Sequence, residues 1–493
     1  MHYAECKLYL VFNFQLCLYV NLAKLRAGDS THYDPFYYPA LVAISSHMGC
    51  VDMMGDEYLL RQFERILEHD DLLDELGFIH PSQFASLNEG LDATAFEISN
   101  RTPSDFDALN YDETAFWTKD HKLAISTEIL TQLSKAARRA YFDVRSGYKD
   151  SISVNMNANR SDSVTSRGSS IELLENNLLM HSKAILILSC DFLSAWNSRK
   201  QVLQRKCNLS LFMDELQLLT LILSYSPKSE CAWSHRRWVI KRIAEKCQDL
   251  QEIIDEESDL ARNIVEKSKM NYRAWNHRVW LTNYMTRKQI LDELDKSRKW
   301  SELHIADSCS FHYRGRLLLR LLENSYRRQE EEASSSFMSN IPFLWEEEIK
   351  WNKFLIKRFM DRQSLWVYRR FLIQCWIKLF RDDCLHARQL HKDHQNGSLE
   401  LHTDHQNSCV LLDLFWAKEL EFLCECLNTP VDEFEDYHIQ AQLAASYMLW
   451  ITKQFPFLAN SKHQERISEL GDLKAILIKT CPDKTLLWRS LSD

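Results

Sequence analysis

Three groups of residues in this 493-residue chain have types and spacing that could do chemistry. The run at 391–408, HKDHQNGSLELHTDHQNS, states H-x-D-H-Q-N twice, from His391 and from His402. The four His and two Asp of the two copies are transition-metal ligands by type. Their surroundings are polar and carry no hydrophobic pattern to hold ligands in register, so the reading is a duplicated exposed loop and no metal site is assigned. The second candidate is Cys231, but no paired base is visible to make it a nucleophile, and an ordinary thiol is expected. The third is Lys228, after Pro227 in PKSECAW. It stands at a turn just before a helix, where backbone N–H groups favour an anion. By residue type alone it is a solvated turn lysine.

Only 10 Gly and 9 Pro are present, well under average usage of about 7% and 5%. Few breakers and many Leu, Glu, Lys and Ile favour long helices over sheets. The formal net charge is −9, which argues against broad nucleic-acid affinity, so no nucleic-acid partner is expected. The 14 Cys are scattered without a CxxC pair, so neither a zinc ribbon nor a disulfide framework is indicated. Free thiols in a reducing cytoplasm are the expectation. The apolar run LYLVFNFQLCLYV at 8–20 is interrupted by Asn13 and Gln15 and falls short of the roughly 20 apolar residues a membrane span needs. No stable membrane span is assigned. Residues 1–52 are read as an N-terminal extension of uncertain status, with Met53 and Met54 offering a later start.

The elements that would position such groups are helices. Residues 53–145 are read as an N-terminal helical region. Leu59, Leu60, Phe63, Ile66, Leu67 and Leu73 stand at helical spacing, Gly77 and Pro81 punctuate the end, and 121–145 forms a second helix with Leu123, Ile129, Leu133 and Ala137 on one stripe. A polar linker follows at 146–170. Residues 171–380 are read as five helical repeats, 381–410 as a polar His-rich loop, and 411–493 as a C-terminal helical region. A further polar break occupies about 327–340.

The repeats rest on one recurring stretch. AWNSR, AWSHR, AWNHR, SFHYR and LWVYR place Trp196, Trp233, Trp275, Phe311 and Trp366 at separations of 37, 42, 36 and 55 residues, the last lengthened by the 327–340 break. A period near 36–42 residues with helical filling means a helix-pair solenoid. Each unit has a helix, such as that carrying Phe212, Leu216, Leu219 and Leu223 on one face, then a turn, then a second helix opened by the motif. The aromatic residue and the arginine three positions on (Arg199, Arg236, Arg278, Arg314, Arg369) are neighbours on one side of that helix. The aromatic ring is expected to fill the seam between helices. The arginine is expected to lie over it or to pair with a carboxylate. Paired basics at Arg199–Lys200, Arg236–Arg237 and Arg369–Arg370 could also stack into a basic stripe facing an acidic partner.

The signature, aromatic-x-[HSY]-R in five copies and completed by His235, His277 and Tyr313 at its third position, resembles the repeat of the protein prenyltransferase alpha-subunit family. PKSECAWSHRRWVI at 227–240 and NYRAWNHRVW at 271–280 are similar to that motif in residue type and spacing. The resemblance covers about 171–380, with weaker likeness over 73–88, and LDELDKSRKWSELHIADSCSFHYR at 291–314 looks most similar to a divergent branch, the alpha-subunit repeat-containing protein 1 type. It implies an all-α fold, an alpha-alpha solenoid forming a crescent around a separate beta subunit. That partner would hold the zinc and most of the isoprenoid pocket, leaving no cofactor in this chain. The family's lysine five residues before the second motif Trp is directed at the lipid diphosphate, and the matching position is Lys228. Glu230, Cys231, Tyr272 and Arg273 are assigned to substrate binding by the same correspondence. The family's carboxylate-gripping Gln, preceded by Tyr, is replaced here by Cys231 and Glu230, which speaks against ordinary CaaX-tail recognition.

The resemblance therefore implies the alpha subunit of a cytoplasmic protein geranylgeranyltransferase. Its partners would be a beta subunit of the Rab geranylgeranyltransferase type, an isoprenoid diphosphate and a protein with a C-terminal cysteine. Repeat packing alone equally fits a non-enzymatic, tetratricopeptide-like scaffold that binds protein segments.

Overall fold

A computed structural model describes residues 51–89, 114–157, 164–247, 249–329, 340–393, 401–427 and 435–456, with three isolated positions beyond them. The expectation for 1–52 therefore falls almost wholly outside the described residues. Helix α1 (Val51–His69) is followed by strand β1 (Glu75–Ile79), the short α2 (Phe84–Glu89), strands β2 (Phe116–Lys119) and β3 (Lys122–Ser126), and the long α3 (Leu130–Asn157). Helices then come in pairs: α4 (Val164–Leu188) with α5 (Leu193–Lys206), α6 (Leu209–Tyr225) with α7 (Glu230–Ala244), and α8 (Leu250–Lys267) with α9 (Tyr272–Leu281). Three more pairs follow: α10 (Arg287–Leu303) with α11 (Ser308–Gln329), α12 (Asn340–Arg358) with α13 (Gln363–Asp393), and α14 (Leu401–Leu427) with α15 (Glu435–Gln454). The described part of the solenoid is thus built of helices, and each motif copy lies on the second helix of its pair.

Local chemistry sets these boundaries. Asn208, Ser229, Asn271 and Thr286 are N-caps whose side chains accept backbone N–H bonds at the starts of α6, α7, α9 and α10, and Gln289 completes a capping box with Thr286. The expected apolar face of α6 is in place: Phe212, Leu216, Leu219 and Leu223 are all buried. Leu218, Leu221 and Ile222 are buried as well, because α6 is covered on a second side by the N-terminal elements.

Those elements differ from the sequence-based reading. The region read as helical at 53–145 holds a three-stranded sheet in the order β1-β3-β2, with β1 parallel and β2 antiparallel to β3. Leu123, expected on a helix stripe, lies in β3, and that helix begins only at Leu130. The stretch of weaker repeat likeness at 73–88 is a strand and a short helix, not a helix pair. The β2–β3 hairpin escapes notice because its turn has no Asn-Gly: Asp120 and His121 take left-handed backbone (φ 49° and 61°), a conformation that Asp and His tolerate better than most residues. His121 Nδ1 lies 2.9 Å from Asp70 Oδ1, which fastens the turn to the end of α1. Phe63 stacks on Phe116 with ring centres 5.8 Å apart, Phe78 meets Tyr225 edge-on, and Gln217 of α6 donates to the Leu73 carbonyl. The sheet is therefore a cap on the second helix pair.

Two polar segments are also shorter than expected. The backbone is helical to Asn157 and again from Val164, which narrows the 146–170 linker. The His-rich stretch read as a loop at 381–410 is helical to Asp393 and from Leu401. Low hydrophobicity does not mean irregular backbone there, because Leu, Glu, Gln and Lys propagate a helix without an apolar face.

Trp275 is buried, donates Nε1–H to Asp307 Oδ2 (3.2 Å) and meets Trp300 edge-on at 5.1 Å. It fills the seam between the third and fourth pairs. Trp275→Ala should cost about 3–5 kcal/mol of unfolding free energy, read as a lower urea midpoint with an unchanged m-value. An unchanged midpoint would place the indole outside the core.

Candidate functional site

Every motif arginine reaches out of its own repeat. Glu215 on α6 accepts from Arg199 Nε of the preceding pair (2.9 Å) and from His235 Nε2 of its own pair (2.7 Å). Glu257 on α8 accepts in the same way from Arg236 (2.7 Å) and His277 (3.1 Å). Glu293 on α10 takes Arg278 (2.8 Å) and the Tyr313 hydroxyl (2.7 Å), and Glu348 on α12 takes Arg314 (2.8 Å) and Tyr368 (2.7 Å). Glu419 on α14 takes Arg369 (2.7 Å) and Tyr447 (2.8 Å). A third leg runs inward: Arg199, Arg236, Arg314 and Arg369 each donate Nη1 to a carbonyl on the first helix of their own pair and to a nearby Ser, Thr or Asn side chain. One guanidinium thus ties three helices, using the donor fork that only arginine provides.

The aromatic position makes the same crossing. Trp196 lies on His235 at 4.5 Å between ring centres, Trp233 on His277 at 4.8 Å, Trp275 on Tyr313 at 5.8 Å, Phe311 on Tyr368 at 5.3 Å and Trp366 on Tyr447 at 5.5 Å. Arg278 also sits over the Trp275 and Tyr313 rings. The ends of the array follow from this pattern. The first copy has no described pair before it to receive, and carries Ser198 at the third position, hydrogen-bonded to the Tyr141 hydroxyl (2.8 Å). The last has no described pair beyond it, and keeps Tyr447 while replacing the aromatic and the arginine with Ala445 and Met448. That sixth, half-erased copy escapes a search for complete motifs.

Burial fixes the protonation states. Burial pushes the Glu215 carboxyl up, but Arg199 and the His235 hydrogen bond outweigh it and hold it down at about 2; Glu257 is held at about 2 by Arg236 and His277. Burial lowers His235 and His277 more than their glutamates raise them. Each imidazole is therefore neutral and donates from Nε2, and neither Nδ1 finds a hydrogen-bond partner among the described residues. The motif arginine of each basic pair cannot contribute to a surface stripe. Arg199, Arg236 and Arg369 are buried in the ladder, Lys200 and Arg370 lie over the Trp238 and Trp450 rings, and Arg237 pairs with Glu230.

The residues assigned to chemistry gather at one rim, where the turns before α7 and α9 meet. The Pro227 carbonyl accepts from Trp233 Nε1 (2.9 Å) and from the N-cap Asn271 Nδ2 (2.7 Å). Lys228, the next residue, is exposed and makes no side-chain hydrogen bond or ion pair among the described residues. Its backbone is fixed by buried groups while its ammonium group is free to reach. Glu230 is held on both oxygens, by Arg237 Nη2 (2.9 Å) and by Arg273 Nε (3.1 Å). Its charge is therefore offset within the chain. Tyr272 is exposed. Cys231 is half-buried, and burial, followed by the charge of Asp191 and a hydrogen bond to it, pushes its thiol up, which agrees with an unreactive side chain. Asp191, which also accepts from Ser229 Oγ (3.2 Å), and Asn271 are the rim residues that sequence reading did not weigh. Among the described residues no group of three or more His, Cys, Asp or Glu could hold a metal ion, and no helix is long and apolar enough to cross a membrane. The side chains of the 391–408 run lie outside the described residues.

Residues 212–243, 254–285 and 345–376 match the family model of the protein prenyltransferase alpha subunit repeat. Each matched segment contains one ladder glutamate with its own His or Tyr and Arg. These three segments are repeats of that type. Protein prenyltransferase alpha subunit repeat-containing protein 1 of Danio rerio is 30% identical over 52% of this chain and 63% of the relative. Geranylgeranyl transferase type-2 subunit alpha of Sus scrofa is 26% identical over 41% of this chain and 34% of the relative. The chain thus spans under two thirds of the first relative and about a third of the second. The solved Candida albicans protein geranylgeranyltransferase-I complexed with GGPP covers 65% of this chain and 90% of its own at 12% identity, with a TM-score of 0.26, too loose to carry an argument. The ladder itself continues beyond the three matched segments, through Glu293 and Arg314 and through Glu419 and Tyr447.

The ladder makes stability pH-dependent. Unfolded His takes a proton below about 6.5 while buried His235 and His277 resist it, so stability falls as pH drops through that value. Glu215 and Glu257 contribute stability above the ordinary carboxylate value of 4.5, and it is lost as pH falls toward about 2. The urea midpoint should fall continuously from pH 7 to pH 3. Glu257→Gln should start lower and lose less between pH 4.5 and 3, and a parallel profile would remove Glu257 from the acid transition.

Proposed function

We propose that the chain is the alpha subunit of a heterodimeric protein prenyltransferase, with Lys228 placed to stabilise the diphosphate that leaves the isoprenoid. The observation that carries this reading is the position of Lys228: a free lysine on a turn whose backbone is held by Trp233 and Asn271, inside a matched repeat, at the N-terminus of the 15-residue α7. In the proposed reaction the cysteine thiolate of a protein C-terminus forms a C–S bond to C1 of the isoprenoid. The C–O bond to diphosphate breaks, and the electron pair departs with the phosphate oxygen. A positive charge beside that oxygen lowers the barrier because charge develops there in the transition state. Geranylgeranyl transfer is the form favoured by the likeness to the Sus scrofa geranylgeranyl transferase type-2 subunit alpha, and a beta subunit of the Rab geranylgeranyltransferase type is the partner proposed with it. Zinc, which would activate the thiol, is assigned to that partner.

The rim shapes the substrate side as well. Glu230 is bound by Arg237 and Arg273, so a tail carboxylate would meet Tyr272 and a partly satisfied Arg273 in place of an amide donor. This self-pairing is what favours the second reading, a helical-repeat scaffold for protein segments without transferase chemistry.

Single-turnover transfer by the complex with a beta subunit separates the two. Lys228→Ala should lower the chemical rate by about 10²–10³-fold, as loss of one charge-stabilising donor does, with beta-subunit binding retained. Lys228→Arg should recover part of the rate. A wild-type rate in Lys228→Ala removes the catalytic assignment, and a stable complex that transfers no isoprenoid supports the scaffold.

A further inference from the structure

One side-chain pair lies outside the ladder and the rim. Cys207 is the residue just past α5, with left-handed backbone (φ 53°) and its N–H donated to the Leu203 carbonyl. Glycine usually fills that position because it has no Cβ to clash. Lys246 stands just past the end of α7. Its Nζ is 2.7 Å from the Cys207 carbonyl oxygen and 2.6 Å from Cys207 Sγ. A lysine at the end of α5 is favoured by the helix dipole and by the free carbonyl, but capping explains only the oxygen contact. N–H···O bonds run about 2.7–3.2 Å, and sulfur is larger than oxygen, so the N···S approach is closer than a hydrogen bond to a thiol calls for. A single bridging oxygen would span it.

The setting suits oxidation. Cys207 is exposed, whereas the other described cysteines are half-buried or buried. Burial pushes the Cys375 and Cys426 thiols up to about 12, away from the reactive thiolate. Lys246 is also exposed, so an oxidant reaches both groups.

We propose that Cys207 and Lys246 form a covalent N–O–S bridge on exposure to hydrogen peroxide, stapling the first helix pair to the second. One peroxide converts the thiol to a sulfenic acid and releases one water. A second peroxide accepts two electrons as the lysine nitrogen bonds to the sulfenic oxygen, and the two hydrogens lost, one from nitrogen and one from the S–OH group, leave in two further waters. The pair gains one oxygen and loses two hydrogens overall. Two equivalents of a dithiol return four electrons, giving back the thiol and amine with one water. The bridge would close a loop between residues 39 apart in sequence, and so resist separation of the two pairs.

The test is mass spectrometry of the full chain after titration with hydrogen peroxide. Digestion should release the peptides holding Cys207 and Lys246 as one species, one oxygen heavier and two hydrogens lighter than their sum, and a dithiol should separate them. Cys207→Ser and Lys246→Arg should both abolish the joined species. The arginine variant keeps the cationic cap, and its Cys207 should proceed instead to sulfinic acid. Three results overturn the proposal: wild-type Cys207 accumulating as sulfinic acid beside unmodified Lys246, Cys207 joined to another cysteine, or the joined species persisting in Lys246→Arg.

Discussion

The fold depends on a buried arginine that finds its carboxylate in the next repeat. A guanidinium removed from water is costly unless every donor is used, and no single helix pair supplies enough acceptors for one. Arg236 takes a carbonyl and a threonine hydroxyl from α6 but must borrow Glu257 from α8, and Glu257 in turn needs His277 from α9. A pair standing alone would bury an unpaired charge. Stacking is the way to satisfy it, and the aromatic residue three positions earlier packs across the same boundary. A buried ion pair is not by itself a strong source of stability. Its strict geometry, however, permits one register between neighbouring pairs, which a purely apolar seam would not enforce.

That constraint explains where the chain tolerates variation. In the first four links each glutamate stands 20 residues before its own His or Tyr. The distance from an arginine to the glutamate of the following pair instead runs from 15 to 50 residues. Insertions therefore fall between repeats and leave the ladder intact; the polar break after α11 and the His-rich stretch running from the end of α13 into the start of α14 both lie in that interval. The rim is a product of the same stacking. Asn271 reaches Pro227 and Arg273 reaches Glu230 because the second and third pairs are in register, so an exposed lysine stands on a turn tied to both pairs.

The motif, its period and the helix-pair architecture were legible in the sequence because an aromatic and an arginine three apart are rare enough to stand out when repeated. The other half of the ladder was not. Glu215, Glu257, Glu293, Glu348 and Glu419 are five among 69 acidic residues, and only their fixed offset from a His or Tyr distinguishes them. The arginines were read as surface or ring partners in part, since sequence adjacency to Lys200 or Arg237 suggested a charged face; one residue of each pair points inward and the next does not. The sheet near the N-terminus was hidden by short strands and an unmarked turn. At the rim, Lys228 stands out only through the family resemblance, at its place five residues before the second motif Trp, while the Glu230–Arg273 pair joins two repeats and has no signature along the chain.

A double-mutant cycle across one repeat boundary tests the central claim most directly. Arg236→Met, Glu257→Gln and the double variant would be compared by urea unfolding with the wild type. Residues in one buried network couple by about 0.5–3 kcal/mol, whereas independent sites add to within about 0.5 kcal/mol. A coupling above 1.5 kcal/mol, with the double variant little worse than Arg236→Met alone, is the result expected of a ladder that binds neighbouring repeats. Strict additivity would mean that the repeats are held by their apolar seams and that the arginine is an ornament of each helix pair.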